Sequence, residues 1–173
     1  RLNNFLKKKN EWFEKFVNLK NLKKPKFYEK KINIKKIEKI LKFEISKNQN
    51  IIEYSPNTFR YLDIICNTIK KNKGGILIID YGYLNSKMHE TLQAINKHKY
   101  TNILENIGNS DITHNINFNL LKKFIKKFNQ LDTAFTTQKM FLTRMGILQR
   151  AEIISKNLSF SKKTDLFYRI KRL

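Results

Sequence analysis

Cysteine, proline, glycine and acid are all scarce in this chain. Its 173 residues include one cysteine, two prolines, five glycines and 14 acids. A single cysteine excludes an internal disulfide framework and points to a reducing compartment. Cys66 falls on the apolar side of an expected helix with Leu62, Ile65 and Ile69, so it reads as a buried structural thiol. No Walker A, G-x-G-x-x-G, H-E-x-x-H or C-x-x-C is present. The three histidines, His89, His98 and His114, lack metal-ligand spacing, and no metal is expected. No run approaches the roughly 18 apolar residues of a membrane helix. The N-terminus is charged and lacks the apolar centre of a secretory signal. The first residue is Arg1 rather than Met, which suggests a piece of something longer with any targeting signal upstream.

Basic residues and apolar ones are plentiful. The net charge is +22, the hydrophobic fraction 40% and the aromatic fraction 12%. That apolar content is too high for a disordered chain. The length suits one domain around one core. The charge invites a nucleic-acid reading, which its composition disfavours. Thirty basic residues are Lys and six are Arg, while Ile and Asn number 23 and 21. Sites that read phosphates or bases favour the guanidinium fork of Arg. Lys, Ile and Asn rising together mark a bias of the whole chain, and the lysines read as a solvated surface.

The most apolar stretch is Gly74-Gly75-Ile76-Leu77-Ile78-Ile79-Asp80-Tyr81-Gly82. Its run of apolar residues without alternation predicts a strand buried on both faces, as in a parallel sheet. Ahead of it, residues 50–54 read as a strand. Ser55 is placed to cap a helix and Pro56 to open it, with Lys70, Lys71 and Lys73 near the end and Gly74 as the stop. Strand, helix and strand predict one right-handed βαβ unit. Residues 1–31 suggest a hairpin of two strands around a long turn, and residues 34–42 a short helix. Residues 83–107 lack periodicity and read as a functional loop leaving the strand end. Strands are expected at 112–118 and 131–136. Helices are expected at 119–129, from Thr137 to Met145, from Ile147 to Lys156, and from Ser161 to Arg172. The order of elements predicts an α/β fold.

Ligands in open α/β sheets bind outside the carboxyl ends of the strands. Asp80 and Tyr81 are therefore the leading site candidates, with a plain turn-capping role for Asp80 as the alternative. Thr91, Gln93 and His98 lie in the irregular segment and are weaker candidates. Glu53 ends a strand on the same edge, and pairing with nearby lysines would equally explain it.

Six segments taken together resemble a known family. They are Glu53-x-Ser55-Pro56, Gly74–Gly82, Thr91-Leu92-Gln93-Ala94, His98-Lys99, Gly108-x-x-Asp111-Ile112-Thr113 with Phe118, and Thr137-Gln138-x-x-Phe141-Leu142-x-x-x-Gly146-Ile147-x-x-Arg150. In this order they resemble the MidA-like class I S-adenosylmethionine-dependent methyltransferases, from about Trp12 onward. That family includes a mitochondrial assembly factor of respiratory complex I that methylates a protein arginine. The resemblance implies a Rossmann-like methyltransferase sheet, with residues 1–173 as the C-terminal half of a single methyltransferase domain. It also implies that this sheet is incomplete, with its N-terminal cofactor-binding half and its last strand missing. The cofactor would be S-adenosylmethionine, held by residues upstream of Arg1. The acceptor would be a protein arginine, and the location the bacterial cytoplasm or the mitochondrial matrix. Asp80 and Tyr81 would be catalytic, while Thr91, Gln93 and His98 would bind substrate. Two positions depart from the family: Asn115 stands where a His is usual and Asn117 where an Asp is usual. Ala134-Phe135 replaces a Gly-Pro. The rival readings are a non-catalytic assembly protein and a basic nucleic-acid-binding module.

Overall fold

A four-stranded antiparallel sheet carries the core of residues 1–131. The computed structural model describes residues 2–20 and 24–173. β1 (Asn3–Lys8) and β2 (Glu11–Asn18) form a tight hairpin. Its turn residues Lys9 and Asn10 have φ of 46° and 64°. Two left-handed residues match the twist of the strands they join. β3 (Lys26–Ile32) pairs with β2, so the region read as two strands holds three. Residues 21–23 of the long turn lie outside the described residues.

α1 (Ile34–Leu41) begins where the Asn33 side chain accepts the Lys35 N–H at 3.0 Å. It buries Ile34 and Leu41. β4 (Ile51–Tyr54) and α2 (Pro56–Asn72) follow as read from the sequence. Ser55 has the extended backbone of a cap, but its side chain makes no capping bond. Pro56 at the first helical position leaves one fewer unpaired N–H at the helix start.

β4 pairs antiparallel with β1, giving the order β3-β2-β1-β4. The predicted βαβ unit is therefore not formed, because β4 sits at the edge of an antiparallel sheet. The predicted buried strand is not formed either. Residues 74–80 pair with no strand, and all are exposed. Ile76, Leu77, Ile78 and Ile79 are 50%, 63%, 37% and 67% exposed, whereas Phe5 and Ile52 are at 0%. Apolar character alone cannot bury a strand; neighbouring strands and covering helices must be present.

Pairing resumes at β5 (Gly82–Tyr83), which lies parallel to β9 (Ile116–Asn117). Between them, residues read as a loop form β6 (Gln93–Asn96) and β7 (Lys99–Thr101), which join β8 (Asp111–Thr113) in a sheet of order β7-β6-β8. The β6–β7 turn uses Lys97 and His98 at φ of 48° and 63°. Nothing in those residue types announces it, since such turns favour Asn and Gly. The strand expected at 112–118 is split at His114-Asn115, where the chain passes from one sheet to another. α3 (Phe118–Ile125) is capped by Asn117, whose side chain accepts the Leu120 N–H at 3.0 Å.

The core joins Phe5, Trp12, Ile52, Tyr54, Phe59, Leu62 and Phe124 with other buried residues of this unit. Phe59 and Phe124 meet edge to face at 4.9 Å between centroids, an arrangement that adds to their burial. Cys66 is buried, as expected. Burial, with the Asp63 charge adding to it, pushes its thiol pKa up, so it stays protonated and unreactive.

Residues 132–173 form a second compact unit of helices. The strand expected at 131–136 is absent. Thr137 caps α4 (Gln138–Arg144) by accepting the Met140 N–H at 3.2 Å. Gly146, at φ 83°, separates it from α5 (Ile147–Ser155). α6 (Phe160–Lys171) follows. This unit buries Ala151 and Ser155. No helix among the described residues is long and apolar enough to cross a membrane.

Candidate functional site

The polar centre of the first unit is Glu53, the third residue of β4. Its carboxylate is buried, which is costly unless donors meet it. Oε1 accepts the Thr91 N–H at 2.9 Å, the Leu92 N–H at 3.2 Å and the Asn4 side-chain amide at 3.4 Å. The Thr91 hydroxyl donates to Oε2. The lysine pairing considered for Glu53 is replaced by these bonds. Nearby, Lys15 pairs with Glu90 at 2.5 Å, tying the residue before Thr91 to β2.

Thr91 links this centre to the parallel pair. Its hydroxyl also accepts the Asn115 N–H at 2.9 Å. The next backbone donor, Ile116 N–H, goes to the Tyr81 carbonyl at 2.9 Å. Two successive peptide groups therefore bring Thr91 and the backbone of Tyr81 to one edge. Gly82 allows this approach: a Cβ there would lie 2.3 Å from the Ile116 carbonyl oxygen and 2.6 Å from the Phe118 ring. A backbone carbonyl cannot move aside cheaply, so the position requires glycine.

Tyr83 and His89 add to the edge, with ring centroids 4.3 Å apart. Burial pushes the Tyr83 hydroxyl pKa up, and the charge of Glu53 pushes the same way. The His89 backbone and the Asn117 side chain act in the opposite direction without overcoming it. Asn117 is buried, caps α3 and donates to the Asn85 carbonyl at 3.4 Å. An aspartate would accept the same capping bond, so this departure from the family pattern leaves the turn intact. Gln49 acts similarly, donating to the Ser86 carbonyl and accepting the Met88 N–H, both at 2.8 Å.

The sequence-predicted site residues are only partly assembled. Asp80 is exposed and accepts the N–H of its neighbour Tyr81 at 2.7 Å, which matches the turn-capping alternative. Tyr81 is 85% exposed, with its carbonyl in the parallel pair. Thr91 is a buried linker. Gln93 donates to the Thr113 hydroxyl at 3.1 Å across β6 and β8. His98 is exposed at the tip of the β6–β7 turn, away from the Glu53 bonds. Tyr83 and His89 were missed. The spacing Tyr81-Gly82-Tyr83 hints at the former, while no local signal marks the latter.

Comparison with known proteins places this geometry in a family. The model of a family of S-adenosyl-L-methionine-dependent methyltransferases matches residues 2–137. The mitochondrial protein arginine methyltransferase NDUFAF7 of Xenopus tropicalis is 27% identical over 108 residues, covering 62% of this chain and 25% of that protein. The Caenorhabditis elegans homologue is 30% identical over 98 residues, covering 57% of this chain and 23% of that protein. A crystal structure of a protein from Burkholderia thailandensis superposes with a TM-score of 0.69 at 16% identity. It covers 95% of this chain, and this chain covers 46% of it. The match to the curated relatives spans about a quarter of their length.

The described residues do not fit the cofactor by themselves. The pocket lined by Gln49, Ser86, Met88 and Asn117 has about 100 Å³, against roughly 300–1,000 Å³ for small-molecule sites. Gly74, Gly75, Gly82, Gly108 and Gly146 form no glycine-rich turn from strand to helix. With its family model matched over most of its length and its mixed α/β fold shared with the bacterial structure, the chain belongs to the S-adenosyl-L-methionine-dependent methyltransferases.

Proposed function

We propose that this chain forms the acceptor-binding side of a protein arginine methyltransferase with an incomplete Rossmann-like sheet, the cofactor being held by residues outside those described. The observation that carries the reading is the exposed pair Asp80-Tyr81, poised where an apolar stretch enters the parallel β5–β9 ladder. Methyl transfer needs alignment more than acid–base chemistry, so positioning of the acceptor dominates. Asp80 bears a carboxylate suited to orienting a guanidinium. The exposed Tyr81 ring suits packing against its planar face. Thr91 acts as a positioning residue, fixing the edge through Glu53 and Asn115. Gln93 and His98 stand further along and suit contacts with the flanking peptide.

The relatives' names support arginine as the acceptor. On the family resemblance, the proposal extends to a respiratory complex I subunit as substrate and to the mitochondrial matrix as the location, with the bacterial cytoplasm as the alternative. Residues 1–173 are then one part of a single methyltransferase domain.

The test is transfer of a labelled methyl group to arginine-containing protein by the full gene product. Asp80→Ala should lower kcat/KM at least tenfold, about 1.4 kcal/mol or more. Unchanged transfer would remove Asp80 from the mechanism. A second reading, a non-catalytic assembly protein, is favoured by the poor fit of the described residues to the cofactor. Calorimetry of the full gene product with S-adenosylmethionine separates the two, since an assembly protein shows no binding.

A further inference from the structure

The hairpin of β2 and β3 runs on past the part of the sheet that carries the core. The ladder between β1 and β2 ends at Glu14, whereas β2 and β3 stay paired as far as Asn18 and Lys26. Beyond Glu14 the two strands form a wing. No described residue from 13 to 31 belongs to the hydrophobic core cluster or packs against it. The wing is nevertheless apolar: Val17, Leu19, Phe27 and Tyr28 are between 38% and 54% exposed. We propose that it is a docking element for an anionic lipid surface.

Three observations select a lipid surface. First, the apolar side chains occupy both faces of the wing. Phe16 pairs with Tyr28 and Val17 with Phe27, and successive pairs point to opposite sides. A protein laid on one face, or a strand added along β3, would leave the other face wet. A bilayer interface surrounds an inserted wing and covers both. Second, residues 15–31 hold seven lysines and one acid, about twice the basic density of the whole chain. This local excess stands above the general lysine bias and complements an anionic headgroup layer. Third, the apolar and basic groups are interleaved. Apolar side chains can enter the headgroup boundary while lysine stems lie along them and their ammonium groups stay at the phosphates. Lys15 shows this arrangement within the wing, with Nζ 5.0 Å from the centroid of the Phe27 ring. Single-stranded nucleic acid fits less well. Phe16 and Tyr28 already stack on each other at 5.4 Å, and Val17 and Leu19 offer no ring to a base.

Lys15 also pairs with Glu90, so the base of the wing is tied to the segment that carries Thr91. Docking would hold the edge built around Glu53 and Thr91 close to the lipid surface. The inference stands apart from the methyl-transfer reading, and its test needs neither cofactor nor acceptor.

The test is sedimentation of the full gene product with vesicles. One set is phosphatidylcholine alone and the other contains about one-third phosphatidylglycerol; binding to the second should be at least tenfold stronger. Leu19→Ser with Phe27→Ser should weaken that binding roughly tenfold. Lys20→Glu with Lys24→Glu should weaken it at least tenfold, whereas Lys162→Glu with Lys163→Glu, the same charge change on α6, should leave it within about twofold. Trp12 fluorescence checks that the sheet stays folded in each variant. Where Phe27→Ser shifts that emission, Leu19→Ser alone decides, with a loss of about threefold expected. Equal binding to both vesicle sets would overturn the proposal. So would unchanged binding in the folded serine variants, or equal losses from the two lysine pairs, since either result leaves only the charge of the whole chain. Retention on single-stranded RNA that the wing variants abolish, without vesicle binding, would assign the wing to nucleic acid and overturn the lipid reading.

Discussion

The β1–β4 sheet and the segment Gly75–Tyr81 are built from comparable residues and meet opposite fates. Phe5 and Ile52 face each other across β1 and β4 and lose all contact with solvent. Ile76–Ile79 are at least as apolar and remain open. The difference lies in partners. β1 has strands on both sides, and the core cluster of α1, α2 and α3 residues covers one face. The segment at 75–81 has neither until Gly82. Hydrophobicity sets how much a strand gains on burial, and topology sets whether burial happens.

The largest effect should come from cutting into the covered sheet. Phe5→Ala should cost about 3–5 kcal/mol, read by urea unfolding through Trp12 fluorescence. Leu77→Ala in the same chain should change stability by no more than about 0.5 kcal/mol. Equal losses at the two positions would break the contrast.

Next is the buried carboxylate that fastens the sheet to the edge. Glu53→Ala removes the acceptor of the Thr91 and Leu92 N–H groups and should cost about 2–3 kcal/mol. Faster amide exchange at Thr91, Leu92 and Asn115 should accompany the loss, because Thr91 connects these segments. A drop in stability with those amides unchanged would show that Glu53 supports the sheet alone.

Gly82→Ala probes the point where pairing resumes. The added methyl meets a backbone carbonyl, and the expected cost is about 1–3 kcal/mol. Loss of protection confined to Ile116 and its neighbours would place the damage in the parallel pair. A neutral result would mean that β5 and β9 are not held at this spacing.

The smallest effect is a pH dependence within the covered unit. Burial raises the Glu38 pKa, but the Ser46 hydroxyl, Lys35 and the Ser46 and Ile45 N–H groups together hold it below the ordinary carboxylate value. Its stabilisation is therefore complete above the unfolded-state pKa and is lost as pH falls through the lower folded-state value. Glu38→Gln should cost about 1 kcal/mol at neutral pH, and the two proteins should converge in stability once the pH has fallen below the folded-state pKa. A gap that persists in acid would mean that shape, rather than charge, matters at this position.

Local signals explain the elements that were legible in the sequence. Pro56 opens α2, Thr137 caps α4 and Gly146 separates α4 from α5, each through its own backbone chemistry within a few residues. The stripes of α1 and α3 were legible for the same reason. The β6–β7 hairpin was not, because Lys97 and His98 adopt left-handed backbone without the residues that advertise it. Of the candidate site, Asp80 and Tyr81 were singled out through their position after an apolar run. Glu53 drew notice as an acid at a strand end, but its partner Thr91 is 38 residues away and no spacing rule connects them.

The sequence by itself determined where helices start and stop, which residues are apolar enough to seek a core, and that Cys66 would be inert. Those properties reside in single side chains and their immediate neighbours. Tertiary structure alone decided that β4 runs antiparallel to β1, that Glu53 closes on Thr91, and that Ile76–Ile79 stay uncovered. Each depends on segments far apart in sequence meeting in space. The energy of such a meeting belongs to the pair, so neither segment carries it when read alone.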